Sequence, residues 1–266
     1  MNNIFDIKRF GDYFLYDLRR AKNNYGLSLL LMGLIPVILY IAYLLISLLN
    51  GNGVGTIPEA MKYSGIVLVW FVVILGAGAK IYGTLTEKRA GTDFLLLPVS
   101  TTEKWLSMSL MVCVVLPLAL SALLLASDGL MSLVFPNSYG SSLLSLHTAD
   151  SLSGILEEEG VKFNLPAILF FNWCVNVLTF TLGAVCFKKA KVAKTIFCLF
   201  GISIVLSMLS FLILGTGHFD FEQIAAWFDS PDKAASFLNW MLSILYFLLI
   251  GGLLTGLWFR LRTLKH

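Results

Sequence analysis

The chain has 266 residues, of which 58% are hydrophobic and 13% charged. That is more apolar surface than a soluble core of this size can hide, and it excludes an ordinary soluble enzyme. The net charge of +3 says little by itself, because in a membrane protein the distribution of cations among the loops is what orients the chain.

Residues 1–26 come first. Ile7, Phe10, Phe14 and Leu18 recur at three- and four-residue steps, with Arg9, Asp12 and Arg20 on other faces. This pattern predicts an amphipathic helix in the membrane interface, either a plain anchor or an elbow that braces the first span against a partner. The first span that follows is too long for a secretory signal and lacks its small-residue cleavage site, so it is expected to be a mature helix. Residues 27–266 then form one six-helix domain. Its spans are expected at Leu27 to Leu49, Gly65 to Tyr82, Trp105 to Leu125, Leu165 to Phe187, Thr195 to Leu214 and Phe237 to Phe259. No internal repeat or low-complexity tract divides it.

With these spans, 16 Lys and Arg fall on the side of the N-terminus and three (Lys62, Lys162, Lys233) on the other. The acids lean the opposite way, with ten outside, among them Glu157, Glu158 and Glu159. The asymmetry puts both termini in the cytoplasm. The outer loops, 50–64, 126–164 and 215–236, are too small for a separate catalytic domain.

The cytoplasmic connection, 84–104, is the most informative segment. Ser100 with Glu103 three residues on makes a capping box that starts span three, and Pro98 stops whatever helix precedes it. A short separate helix is expected before Pro98, mixing Glu87, Lys88, Arg89 and Asp93 with the apolar run Phe94 to Leu97. Such a segment either docks on a soluble protein, inserting Phe94 among charged rim contacts, or is only an interfacial turn.

The charged segment after span two, then Gly91, Leu96-Leu97-Pro98-Val99-Ser100 and Glu103-Lys104-Trp105, resemble the cytoplasmic loop of permease subunits of type-2 ATP-binding-cassette (ABC) exporters. Six spans, internal termini and an amphipathic leader match that family. The likeness covers the chain by topology and about 20 residues by motif. It implies a coupling helix at about Thr84 to Leu97, seated on a separate ATPase subunit that holds ATP and Mg, and a second permease chain, the same or related. It also implies a bacterial-type cytoplasmic membrane and an exported hydrophobic or amphipathic cargo, such as a lipid, peptide or drug. The long 126–164 loop departs from a generic member. For Gly215 to Ser230, with Phe219, Phe221, Ile224, Trp227 and Phe228, the resemblance implies short re-entrant helices, and an interfacial aromatic belt is the alternative.

Within the spans, Asn172 and Asn176 lie four apart on one face of span four, followed by Thr179 and Gly183. They serve either as hydrogen-bonding glue between helices or as a stripe facing a cargo pathway. Gly252 and Gly256 form Gly-x-x-x-Gly, a sign of close helix contact, and Pro36 and Pro117 are expected to kink their helices. Cys113, Cys174, Cys186 and Cys198 have no metal-ligand spacing and read as reduced packing residues.

Several motifs are missing. No Gly-x-x-x-x-Gly-Lys-Ser/Thr, His-Glu-x-x-His or Gly-x-Ser-x-Gly occurs. The chain is therefore expected to be a non-catalytic membrane subunit, with no cofactor of its own and no nucleic-acid partner. No span carries an Asp, Glu, His, Lys or Arg near its middle, which argues against an ion-coupled pump. A channel or lipid-handling membrane protein without an ATPase, or an immunity-type membrane protein, are the alternatives to the exporter.

Overall fold

The computed structural model describes residues 5–51, 55–87, 91, 94, 96–142, 165–215 and 231–263. Among these there is helix and no strand, as expected where every backbone group must be satisfied inside hydrocarbon.

Helix α1 (Ile7–Gly33) starts at Asp6, whose Oδ1 accepts from the backbone N–H groups of Lys8 and Arg9 at 2.9 and 3.4 Å. It runs unbroken through the expected boundary at residue 26. The break falls instead at Leu34, because Pro36 has no N–H to continue the ladder. Helix α2 (Ile35–Leu49) leaves at 43°, and the pair passes as one bent crossing. The buried face of α1 is Tyr13, Asp17, Ala21 and Tyr25, at four-residue spacing. Of the expected apolar stripe, Ile7 is 79% exposed and Leu18 is also exposed, while Phe10 and Phe14 are half-buried and stack on each other.

Helix α3 (Glu59–Tyr82) ends in a tight turn, Gly83–Thr86. Helix α4 (Thr101–Val134) begins at the capping box: Ser100 accepts from Glu103 N–H and the Glu103 carboxylate accepts from Ser100 N–H. It extends nine residues beyond the expected end of span three at Leu125, into what reads as outer loop. Pro117 lies just after a π-helical turn, Met111–Val115, in which Leu116 N–H reaches back to Met111 O. That leaves the carbonyl of Val112 without its usual donor, and the Trp173 indole N–H takes it at 3.1 Å. Helices α5 (Leu165–Cys186), α6 (Lys191–Gly215) and α7 (Pro231–Thr263) complete the bundle.

Among the described residues, five helices are long and apolar enough to cross a membrane, and six crossings result when the bent α1–α2 pair is counted as one. The chain is an all-helical, multi-pass membrane protein. Its core runs down three helices at four-residue intervals: Val69, Val73, Ala77 and Ile81 on α3; Met108, Val112, Leu116, Leu120 and Leu124 on α4; Trp173 and Val177 on α5. Hardly any of α6 and α7 is buried, and Phe197, Phe211 and Phe247 stand outward. Such faces would aggregate in water and are ordinary against lipid. Of the cysteines, Cys174 is buried and Cys113 half-buried, but Cys186 and Cys198 are exposed, so a packing role inside this chain covers only the first two.

The closest helix approach is not at Gly-x-x-x-Gly. Nothing lies within 4 Å of where a Gly252 Cβ would stand, and a Gly256 Cβ would make ordinary contact with Leu182 at 3.5 Å. At Gly78, by contrast, a Cβ would meet the Thr181 backbone, 2.8 Å from Cα and 2.9 Å from N. Because backbone cannot rotate aside, Gly78→Ala must push α3 and α5 apart, and a loss of about 1–3 kcal/mol is expected. Thermal unfolding in detergent checks this; a variant as stable as the parent would show that the two helices are not held this closely.

Candidate functional site

The first candidate site is built at the end of the bundle where α1, α4 and α6 begin and α3, α5 and α7 finish. Glu103 is its keystone. It is fully buried, yet its carboxylate accepts from Arg9 Nε at 2.9 Å, Arg9 Nη2 at 2.6 Å, Asp6 N–H at 2.9 Å and Ser100 N–H at 2.9 Å. A carboxylate in the first turn of α4 also suits the helix dipole. The next residue, Lys104, is buried as well. Its ammonium donates to Phe94 O at 2.6 Å and Leu97 O at 3.3 Å, and lies 4.6 Å from the centre of the Phe94 ring. The loop before Pro98 is therefore clamped through its backbone to the start of α4.

A second layer ties the other end of the loop. Arg20 donates to Thr84 Oγ1 at 2.8 Å, Lys191 Nζ to Gly83 O, and Thr86 Oγ1 to Phe187 O at 3.4 Å. Beneath it the Asp17 carboxylate, 1% exposed, accepts from Tyr82 OH at 2.7 Å and Ser107 OH at 2.8 Å. Arg260 on α7 donates to Val185 O at 3.3 Å. These bonds tie the loop to its neighbouring helices, and the Arg260 bond ties α7 to α5 beside it.

Of the residues expected at a docking surface, Phe94 is 4% exposed and packs in the chain's own core, whereas Leu96 is 79% exposed and Glu87 is exposed. Gly91, Phe94 and Leu96 have helical backbone, as expected for a short helix before Pro98, and residues two apart on a helix point about 200° from each other, so Phe94 faces the core and Leu96 faces out. Of these two apolar side chains, Leu96 is thus the exposed one and Phe94 the buried one. Lys88, Arg89 and Asp93 lie outside the described residues.

The second candidate is a groove of about 1180 Å³ between α3, α4, α5 and α6. Trp70 and Trp173, in an edge-to-face pair at 4.7 Å, form part of its wall with Phe71, Phe180 and Phe200. Asn172 and Asn176 line it. They bond to each other rather than across a helix interface: Asn176 Nδ2 donates to Asn172 O at 2.8 Å and to Asn172 Oδ1. The Thr179 hydroxyl turns back to Val175 O at 2.7 Å, within its own helix.

At the opposite end of the bundle a polar clasp ties α3, α4 and the one-turn helix together. Lys62, 5% exposed, stacks its ammonium 3.9 Å from the Tyr139 ring centre and donates to Ser141 O at 3.2 Å. Tyr139 OH donates to Asp128 Oδ1 at 2.6 Å. The one-turn helix Pro136–Tyr139 that carries these groups is fixed by Ile57 N–H donating to Ser138 O at 2.9 Å. Lys62, counted among the loop cations, and Asp128, expected near a span end with access to headgroups or water, are both buried in the fold. Their burial has no sequence signal beyond the proximity of two opposite charges to span ends. The inner Asp17 could have been found from the Tyr13, Asp17, Ala21, Tyr25 repeat, since an acid on an otherwise closed face needs donors.

Together these features define a multi-pass helical membrane protein with a tied loop at one end and a lipid-level groove at mid-bundle. No family model matches the chain, and comparison with curated proteins and with solved structures finds no match.

Proposed function

We propose that the chain is the transmembrane permease subunit of an ABC exporter, with both termini in the cytoplasm of a bacterial-type cell. A separate ATPase subunit binds ATP and Mg, and a second permease chain, the same or related, completes the translocator. The cargo is hydrophobic or amphipathic, and this chain performs no catalysis. The supporting observation is the clamped loop: Leu96 stands 79% exposed on a backbone that Lys104 fixes on both sides of it. An exposed leucine on a rigid base fits the groove of a soluble partner. Closure of an ATPase dimer moves membrane helices only through a stiff lever with different contacts in its two states. The bonds of Glu103, Lys104 and Arg20 supply that stiffness.

The groove alone also suits a second reading, a lipid-handling protein without an ATPase. Retention of an ATPase separates the two.

Orientation is tested independently. Glu158→Cys is expected to react with an impermeant thiol reagent in intact cells, and Lys189→Cys only after permeabilisation, each in a background where Cys186 and Cys198 are serine. The reverse pattern would overturn the cytoplasmic placement of the loop and the permease reading with it.

A further inference from the structure

The groove between α3, α4, α5 and α6 has a chemistry more specific than its size. Its volume of about 1180 Å³ exceeds the roughly 300–1,000 Å³ typical of pockets for drug-sized molecules. None of its lining residues is ionisable, so the part of a ligand inside it is uncharged, because a charge there would find no counter-ion. Polar groups nonetheless sit midway along its apolar wall. Asn176 spends its amide donor on Asn172 O and Oδ1. That leaves Asn172 Nδ2 and Asn176 Oδ1 without a protein partner among the described residues, and the Ser203 hydroxyl on the facing helix is in the same position. Hydrocarbon tails cannot answer these groups, and water has little reason to enter between Trp70, Phe71, Trp173 and Phe200. A neighbouring apolar helix answers them no better, since its backbone bonds are already closed internally.

From this we infer that the groove binds a lipid-like amphipath through an acyl chain and the uncharged linkage next to it. An acyl chain lies along the aromatic wall, and the ester or amide linkage that follows it meets the open groups. Asn172 Nδ2 donates to the linkage carbonyl, and Asn176 Oδ1 and Ser203 Oγ take up the adjacent N–H or O–H. Placing this molecule as the exported cargo rests on the permease reading; its binding is a property of this chain alone.

The test uses the purified full chain, without any ATPase, in phosphatidylcholine nanodiscs. The probe is monoolein carrying a diazirine in its acyl chain. Labelling is expected to saturate, to map to peptides of α5 and α6, and to be displaced by unlabelled monoolein at concentrations at least about tenfold below those needed for octadecene, which has the chain but no linkage. Asn172→Leu combined with Asn176→Leu should weaken labelling by about tenfold or more. Ser203→Phe, on the exposed face of α6, should weaken labelling by removing the hydroxyl and placing a ring where the linkage lies, and decides the matter if the asparagine variant does not fold.

Three results would overturn the proposal. Unsaturable labelling, or equal displacement by octadecene, would make the groove a crevice for any hydrocarbon. Unchanged labelling in the folded variants would remove the polar contacts from it. Spontaneous disulfide formation between two Ser203→Cys chains, with no probe labelling of the parent, would put a second copy in the groove. Each of these leaves the permease reading standing, because that reading is tested by ATPase retention.

Discussion

Asp17→Ala is expected to destabilise the protein by about 3 kcal/mol. The substitution leaves the hydroxyls of Tyr82 and Ser107 without the acceptor they share at 2.7 and 2.8 Å. Both residues are fully buried, and each orphaned group costs roughly 1–3 kcal/mol. Asp17→Asn keeps a carbonyl oxygen in place and should lose less than half as much. Removing all three polar groups together, in Asp17→Leu, Tyr82→Phe, Ser107→Ala, should be milder than Asp17→Ala alone, because no orphan remains. Unfolding in a denaturing detergent series measures all of these. A triple variant weaker than the single one would mean that the cost is packing, not unpaired hydrogen bonds.

Leu96→Asp and Phe94→Ala should separate docking from folding. Phe94 fills the core under Lys104, so its truncation creates a cavity and is expected to cost about 3 kcal/mol of stability. Leu96 touches little in its own chain, so Leu96→Asp should shift stability by no more than about 0.5 kcal/mol. Loss of an apolar anchor at the centre of an interface costs about 2 kcal/mol or more of binding, so the same change should lower affinity for the ATPase about 30-fold. If Leu96→Asp kept full affinity while Phe94→Ala lost it at unchanged stability, Phe94 would have to swing out of the core to dock, and the clamp described for Lys104 would be wrong.

How much of this was legible in the sequence depends on the kind of interaction. The spans were, because runs of about 20 apolar residues have few other uses, and so was the Ser100 and Glu103 capping box, because its bonds are local. Helix ends were less so. Span three overran to Val134 and α1 ran through residue 26, since an amphipathic and an apolar segment join without any break in helix propensity; only Pro36 enforces one. The buried face of α1 was not legible, because Tyr13, Asp17 and Tyr25 look like surface residues until groups far along the chain, such as Tyr82 and Ser107 for Asp17, supply their partners. Lys62 shows the same limit: a lysine counted as an outer-loop cation is stacked on Tyr139 inside the fold. Phe94 and Leu96 could not be told apart by composition, because they lie on opposite sides of a short helix and only the docking of that helix on Lys104 and the core decides which side faces in. Asn172 and Asn176 were visible as polar residues on one face, but only the splay of α6 shows that this face borders a groove.

The central claim is that this loop joins the membrane helices to a soluble ATPase. The most direct measurement is the native mass of the assembly recovered by tagging a soluble ATPase, with Walker motifs and no spans, encoded beside this chain. The account predicts two permease chains with two ATPases, an assembly that Leu96→Asp dissociates and that Glu59→Gln, exposed at the far end of α3, leaves intact. Recovery of the ATPase without this chain, or an assembly indifferent to Leu96→Asp, would contradict it.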